Sequence, residues 1–171
     1  MNKSYIPNAF TFGNLAFGVL SIILTMTGYH GYAAFAIIAA ALLDRYDGRV
    51  ARYFNASSKL GTELDSLADL VSFGVAPSIL GWALYLYDFG IIGYILVCLF
   101  PICGAYRLAR YNVSVDKFDN VFVGVPITIA GFIMALDSIV YVYFYKHPYT
   151  AAILIGVFAY LMVSNIQIKK R

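Results

Sequence analysis

Residues 31–54 read GYAAFAIIAAALLDRYDGRVARYF. The run opens on an uncharged, strongly apolar half and closes on Asp44, Arg45, Asp47, Arg49 and Arg52. About 20 such residues suffice for a helix to cross a hydrocarbon core of ~30 Å. The stretch therefore reads as a membrane span whose charged end lies toward one surface. The rest of the chain agrees. Of 171 residues, 61% are hydrophobic and 12% charged, against about 45–50% and about 25% in a soluble domain. A mean hydropathy of +0.76 excludes a soluble globular protein and a disordered one alike. The length leaves room for at most about seven spans. A net charge of +3 is too small to suggest nucleic acid as a partner.

Six apolar stretches separated by short polar breaks are predicted as spans, at about 8–28, 31–54, 60–86, 90–111, 121–145 and 149–167. Short breaks make neighbouring helices antiparallel. The expected fold is an all-α membrane protein, a six-transmembrane-helix bundle forming one domain over residues 1–171. The first stretch is too long for a cleavable signal peptide. Lys and Arg placement sets the orientation. Lys3, Arg45, Arg49, Arg52, Lys59, Arg107, Arg110, Lys117, Lys169, Lys170 and Arg171 fall on one side, and only Lys146 on the other. Both termini are thus expected in the cytoplasm, which requires an even number of spans. The two cysteines, Cys98 and Cys103, lie in one apolar run and point to different faces of a helix, so they read as buried thiols.

Charge is scarce, and its placement is informative. Asp44, Asp47, Glu63, Asp65 and Asp69 are five of the nine acidic residues. A carboxylate at the centre of a membrane helix costs about 2.5–3.5 kcal/mol to insert, and intramembrane ionisable groups are functional candidates by default. Asp44 and Asp47 are spaced i,i+3 and Asp65 and Asp69 i,i+4, so each pair shares a helix face. An antiparallel turn at 55–59 brings the two faces to one depth on the cytoplasmic side. Clustered oxygen ligands without His or Cys suit Mg²⁺, Mn²⁺ or Ca²⁺ rather than zinc. The plainer alternative is an ion-pair network with Arg45, Arg49 and Arg52. Gly48 and Gly61 sit beside the carboxylates, where a mid-helix glycine costs ~1 kcal/mol and so signals a close approach. Arg52 and Lys59 are suitable phosphate donors. Metal ions with cationic and small residues are the equipment of phosphoryl transfer.

The fixed positions Asp44, Asp47, Gly48, Ala51, Arg52, Gly61, Asp65 and Asp69 match the pattern D-x-x-D-G-x-x-A-R-(x8)-G-x-x-x-D-x-x-x-D. The chain thereby resembles the CDP-alcohol phosphotransferase family, whose fold is also a six-span bundle. The resemblance implies two divalent cations, Mg²⁺ or Mn²⁺ with Ca²⁺ as an alternative occupant, held by Asp44, Asp47, Asp65 and Asp69. It makes Asp69 the general base as well. It places Gly48, Arg52, Ser58 and Gly61 against the CDP-lipid. In the family a segment at the start of the first span helps to hold the nucleotide, which here implicates Asn8 and Thr11. Asn14 shares their helix face, and helix–helix hydrogen bonding is the plainer reading for all three.

A second patch chooses the acceptor. Arg107-Leu-Ala-Arg110-Tyr-Asn112 and Phe122-Val-Gly124-Val-Pro126 resemble segments of the integral-membrane phosphatidylserine synthases, a branch of that family. Val125 departs from the usual Leu, and Ile127-Thr128-Ile129 follows where small residues and a second proline are common. The implied partners are CDP-diacylglycerol or a CDP-archaeol-type lipid, L-serine and the bilayer, in a homodimer of the cell membrane. Arg107 and Arg110 share a face and suit a carboxylate. They would equally suit glycerol 3-phosphate or inositol phosphate, and positive-inside topology is their plainer reading. A divalent-cation transporter and a membrane prenyltransferase are the competing classes. The first needs no phosphate donors, and the second needs more spans and more distant acidic motifs. Asp137 reads as a buried hydrogen-bonded group, and His30 and His147 as interfacial. The tyrosines around Tyr141–Tyr149 read as an aromatic belt, and Glu63 is left unassigned.

Overall fold

A computed structural model describes residues 5–54, 58–114, 121–146, 148–164 and 167–169. It gives side-chain positions for these except 5–8, 47–54, 114, 121–123, 148 and 167–169. Six helical stretches account for nearly all of the described chain. These are α1 (Tyr5–Met26), α2 (His30–Phe54), α3 (Lys59–Phe89), α4 (Ile91–Ser114), α5 (Ile127–Tyr143) and α6 (Pro148–Val163). The stretches Ala9–Met26, Lys59–Phe89 and Ile91–Val113 are long and apolar enough to cross a membrane. Ile127–Tyr143 and Tyr149–Val163 are shorter apolar helices. The charges at the end of α2 set that helix apart from both groups.

α1 buries a polar stripe. Thr11, Asn14, Ser21 and Thr25 are buried and follow helical spacing, with Gly18 between them. Small and hydroxyl residues let helix backbones approach closely in a bilayer, where no hydrophobic force drives association. The main partner of α1 is α2, which presents the fully buried Ala33, Ala34, Ile37 and Ala40. Between the two, Gly28 at φ +83° closes α1 with a Schellman turn. Tyr29 N–H donates to the Leu24 carbonyl at 2.8 Å and Gly28 N–H to that of Thr25 at 3.1 Å.

α3 begins at Ser58, whose side chain accepts the Gly61 N–H at 3.0 Å. This is an N-cap in place of an unsatisfied helical donor. The helix widens into a π turn at Leu70–Val75, directly after Asp69. Pro77 follows, and a proline can neither donate to the carbonyl four residues back nor fit beneath it. That carbonyl, on Phe73, lies 2.6 Å from where a Cβ on Gly131 of α5 would stand. A second π turn spans Trp82–Leu86. There the buried Tyr85 hydroxyl donates to Asp137 of α5 at 3.2 Å and meets Ser138 at 2.9 Å. Asp137 is thus hydrogen-bonded as its sequence position suggests, but half-buried rather than buried.

The stretches predicted at 121–145 and 149–167 differ from helix at the start of the first and the end of the second. Val121–Val123 is extended and pairs antiparallel with Gln167–Lys169, Phe122 opposite Ile168. The helix starts only at Ile127, because Gly124 turns at φ +76° and Pro126 precedes the first turn. The segment crosses the end of α6 closely, since a Cβ on Gly124 would lie 3.1 Å from the Leu161 carbonyl. Val125 N–H donates to that same carbonyl at 3.3 Å.

Candidate active site

α1, α2, α3, α4 and α5 meet around Asp69. Asp44 on α2 and Asp65 and Asp69 on α3 each offer a carboxylate oxygen, and these oxygens lie within 4.8 Å of one another. Asp44 and Asp65 are half-buried and Asp69 is buried. Like charges this close raise one another's energy, and a shared cation removes the penalty. Cation–oxygen distances are ~2.1 Å for Mg²⁺ and about 2.3–2.6 Å for Ca²⁺, so opposed ligands stand about twice that apart. The donor set is all oxygen and its spacing fits one hard divalent cation. Asp47, Gly48, Arg52 and Asn8 lie on helical backbone, but their side chains fall outside the described residues. The α2 backbone carries Asp47 one turn beyond Asp44, on the same face.

Asp69 is held from two further helices. Asn14 of α1 donates through Nδ2 to Asp69 Oδ1 at 3.0 Å, and Thr128 of α5 donates to Asp69 Oδ2 at 3.4 Å. One turn along α3, the Ser72 hydroxyl donates to the Asn14 carbonyl at 3.0 Å. The crossing is tight enough that a Cβ on Gly18 would fall 2.8 Å from Ser72 Cα. Thr11 is buried one turn before Asn14.

The two arginines of α4 part company. Arg107 is buried, feels the charge of Asp69, and its Nε has no hydrogen-bond partner among the described residues. Arg110 reaches the end of α6 instead, donating to the carbonyls of Met162, Val163 and Ser164 at 3.1–3.3 Å. Their spacing places both on one helix face, as expected of a shared acceptor site, whereas Arg110 caps a helix terminus whose last carbonyls lack intrahelical donors. Ser58 is engaged as the α3 cap, and Gly61 is half-buried in the first turn. Glu63 accepts from Asn112 at 3.3 Å, and Asn112 also donates to Ser66 at 3.1 Å. These bonds tie the start of α3 to the end of α4. Asn14 was visible in sequence only as a polar residue on the Thr11 face. Thr128 carried no signal, because nothing local to α5 announces Asp69.

The family model for CDP-alcohol phosphatidyltransferases matches residues 4–165. The chain belongs to the CDP-alcohol phosphatidyltransferase family. Metal-dependent transfer from a CDP-activated alcohol is general to the family, and the acidic cluster fits that chemistry. Its relatives are more specific. The chain is 39% identical to a Helicobacter pylori CDP-diacylglycerol–serine O-phosphatidyltransferase, over 98% of this chain and 73% of that protein. It is 40% identical to the Bacillus subtilis protein of the same name, over 96% and 89%. It is 35% identical to the archaetidylserine synthase of Methanothermobacter thermautotrophicus, over 95% and 68%.

Proposed function

We propose that this family member transfers the phosphatidyl group, or its archaeal-lipid equivalent, from a CDP-lipid to the hydroxyl of L-serine and releases CMP. The observation that carries this reading is the convergence of Asp44, Asp65 and Asp69 oxygens within 4.8 Å in a chain whose relatives are named as serine transferases.

Asp44, Asp47, Asp65 and Asp69 would hold two divalent cations, Mg²⁺ or Mn²⁺, in this reading. The chemistry such cations would supply is neutralisation of diphosphate charge. The chain supplies the rest. Asn8, Thr11, Gly48, Arg52, Ser58 and Gly61 hold the CDP-lipid, with Arg52 on the diphosphate. Asp69 takes the serine hydroxyl proton as the oxygen attacks the phosphorus that carries the lipid. The new P–O bond forms to serine, and the bond between that phosphorus and the CMP oxygen breaks. A carboxylate is a weak base for an alcohol, so proton removal accompanies attack. Arg107 receives the serine carboxylate, for which a buried guanidinium is a strong partner. Arg110 acts on that site through the α6 terminus, by fixing the end of α4.

The six stretches cross the cell membrane as six spans with both termini in the cytoplasm, and the protein works as a homodimer with its site on the cytoplasmic side. The charge asymmetry supports the orientation, and family resemblance supports the dimer.

The test is direct. Purified protein is incubated with CDP-diacylglycerol or CDP-archaeol, radiolabelled serine and Mg²⁺ or Mn²⁺. Labelled lipid and stoichiometric CMP are expected. Transfer to glycerol 3-phosphate but not to serine would keep the family and overturn the acceptor.

A further inference from the structure

Asn14 is fully buried, yet it uses only part of its hydrogen-bonding capacity. Its Nδ2 donates to Asp69, while Oδ1 is buried with no partner among the described residues. The amide cannot be reversed, because Oδ1 would then face a carboxylate oxygen. A buried polar atom left unsatisfied costs about 1–3 kcal/mol. An asparagine serving only helix association would be poorly suited to this position, where an apolar residue avoids that cost. The one described side-chain bond it makes is to Asp69.

Thr128 makes the matching contact on the other oxygen, from α5. The plane of a carboxylate is defined by its two oxygens, so one donor on each fixes rotation about the Cβ–Cγ bond. A carboxylate oxygen has two acceptor directions, so a donor on each oxygen is compatible with a cation or a substrate proton at the same group. The Ser72 bond to the Asn14 carbonyl and the close Gly18–Ser72 crossing hold α1 in register with α3 at this level. At 3.4 Å the Thr128 bond is long, as catalytic hydrogen bonds often are before substrate binds.

We propose that Asn14 and Thr128 are positioning residues, which together orient the Asp69 carboxylate for cation binding and for proton removal from the acceptor alcohol. The proposal rests on the reading of Asp69 as base. Groups that orient a metal-binding carboxylate typically contribute 10–100-fold to metal affinity or activity.

Asn14→Leu, Thr128→Val, Thr128→Ser and Asp69→Asn are compared with wild type. The readouts are CMP release and serine transfer at saturating Mn²⁺, KM for both substrates, Mn²⁺ affinity by electron paramagnetic resonance without substrate, and thermal midpoint in detergent. Asn14→Leu and Thr128→Val are expected to lower kcat about 10–100-fold and to weaken Mn²⁺ binding at least about threefold. KM for CDP-diacylglycerol and the thermal midpoint stay near wild type. Thr128→Ser, which keeps the donor, restores most of the lost kcat. Wild-type kcat and Mn²⁺ affinity in Asn14→Leu and Thr128→Val, with Asp69→Asn inactive, would overturn the positioning role alone. An active Asp69→Asn would overturn the base assignment beneath it. If Asn14→Leu does not fold, the Thr128 pair decides: serine no better than valine counts against the proposal.

Discussion

Arg107 and Arg110 stand one turn apart on the same helix, yet Arg107 is buried within the field of Asp69 while Arg110 clasps three backbone carbonyls at the end of α6. Three residues of helix advance the side chain by about 300°, leaving the two directions about 60° apart. In a crowded bundle that angle is enough to deliver them to different neighbours. Their division of labour leads to separate expectations.

Removing Arg107 should weaken the acceptor rather than the donor. Arg107→Ala is expected to raise the serine KM about 10–100-fold, the range of a charged hydrogen bond of about 1.5–3 kcal/mol. KM for CDP-diacylglycerol should change little. Initial-rate kinetics with each substrate varied in turn give the comparison, and equal increases in both constants would remove Arg107 from acceptor recognition.

Arg110→Ala should act on stability. It leaves the Met162, Val163 and Ser164 carbonyls without a guanidinium donor, a loss of about 1–3 kcal/mol. A lower thermal midpoint in detergent, with both KM values shifted alike, is the expected outcome. A selective rise in the serine KM at an unchanged midpoint would return Arg110 to the acceptor site.

Asp65→Asn removes one anionic oxygen donor from the cluster while keeping side-chain size. Mn²⁺ affinity is expected to fall by at least about tenfold, since ligand charge tunes affinity at oxygen sites. Excess metal should recover part of the activity. Unchanged Mn²⁺ binding would show that the ion is held elsewhere.

Gly131→Ala tests the packing beneath the site. The added Cβ would stand 2.7 Å from Phe73 Cα and 2.6 Å from its carbonyl oxygen, too close for backbone to tolerate. The forced shift of α5 against the π turn should cost about 1–3 kcal/mol, read as a lower thermal midpoint. It should also reduce turnover, because the same shift moves Thr128 relative to Asp69. A wild-type midpoint would mean that α5 is free to move aside.

Much of this was open to the sequence alone. Composition determined a membrane-type helical protein, since so apolar a chain with so few charges cannot be solvated as a soluble domain. The predicted spans ending at 28 and starting at 90 meet real helix boundaries at Gly28 and Gly90, because a positive φ suits glycine and interrupts the ladder. Asp44, Asp65 and Asp69 were legible as a cluster, because helical periodicity and one short turn already constrain them to converge. Local periodicity says nothing, however, about which residue arrives from a distant helix. That Asn14 and Thr128 reach the two oxygens of Asp69, across sequence separations of 55 and 59, was decided by how α1 and α5 pack on α3. So were the separate fates of Arg107 and Arg110, and the extended segment at Val121–Val123. A sequence records the order of side chains along a helix. Only the packing of helices determines what each side chain meets.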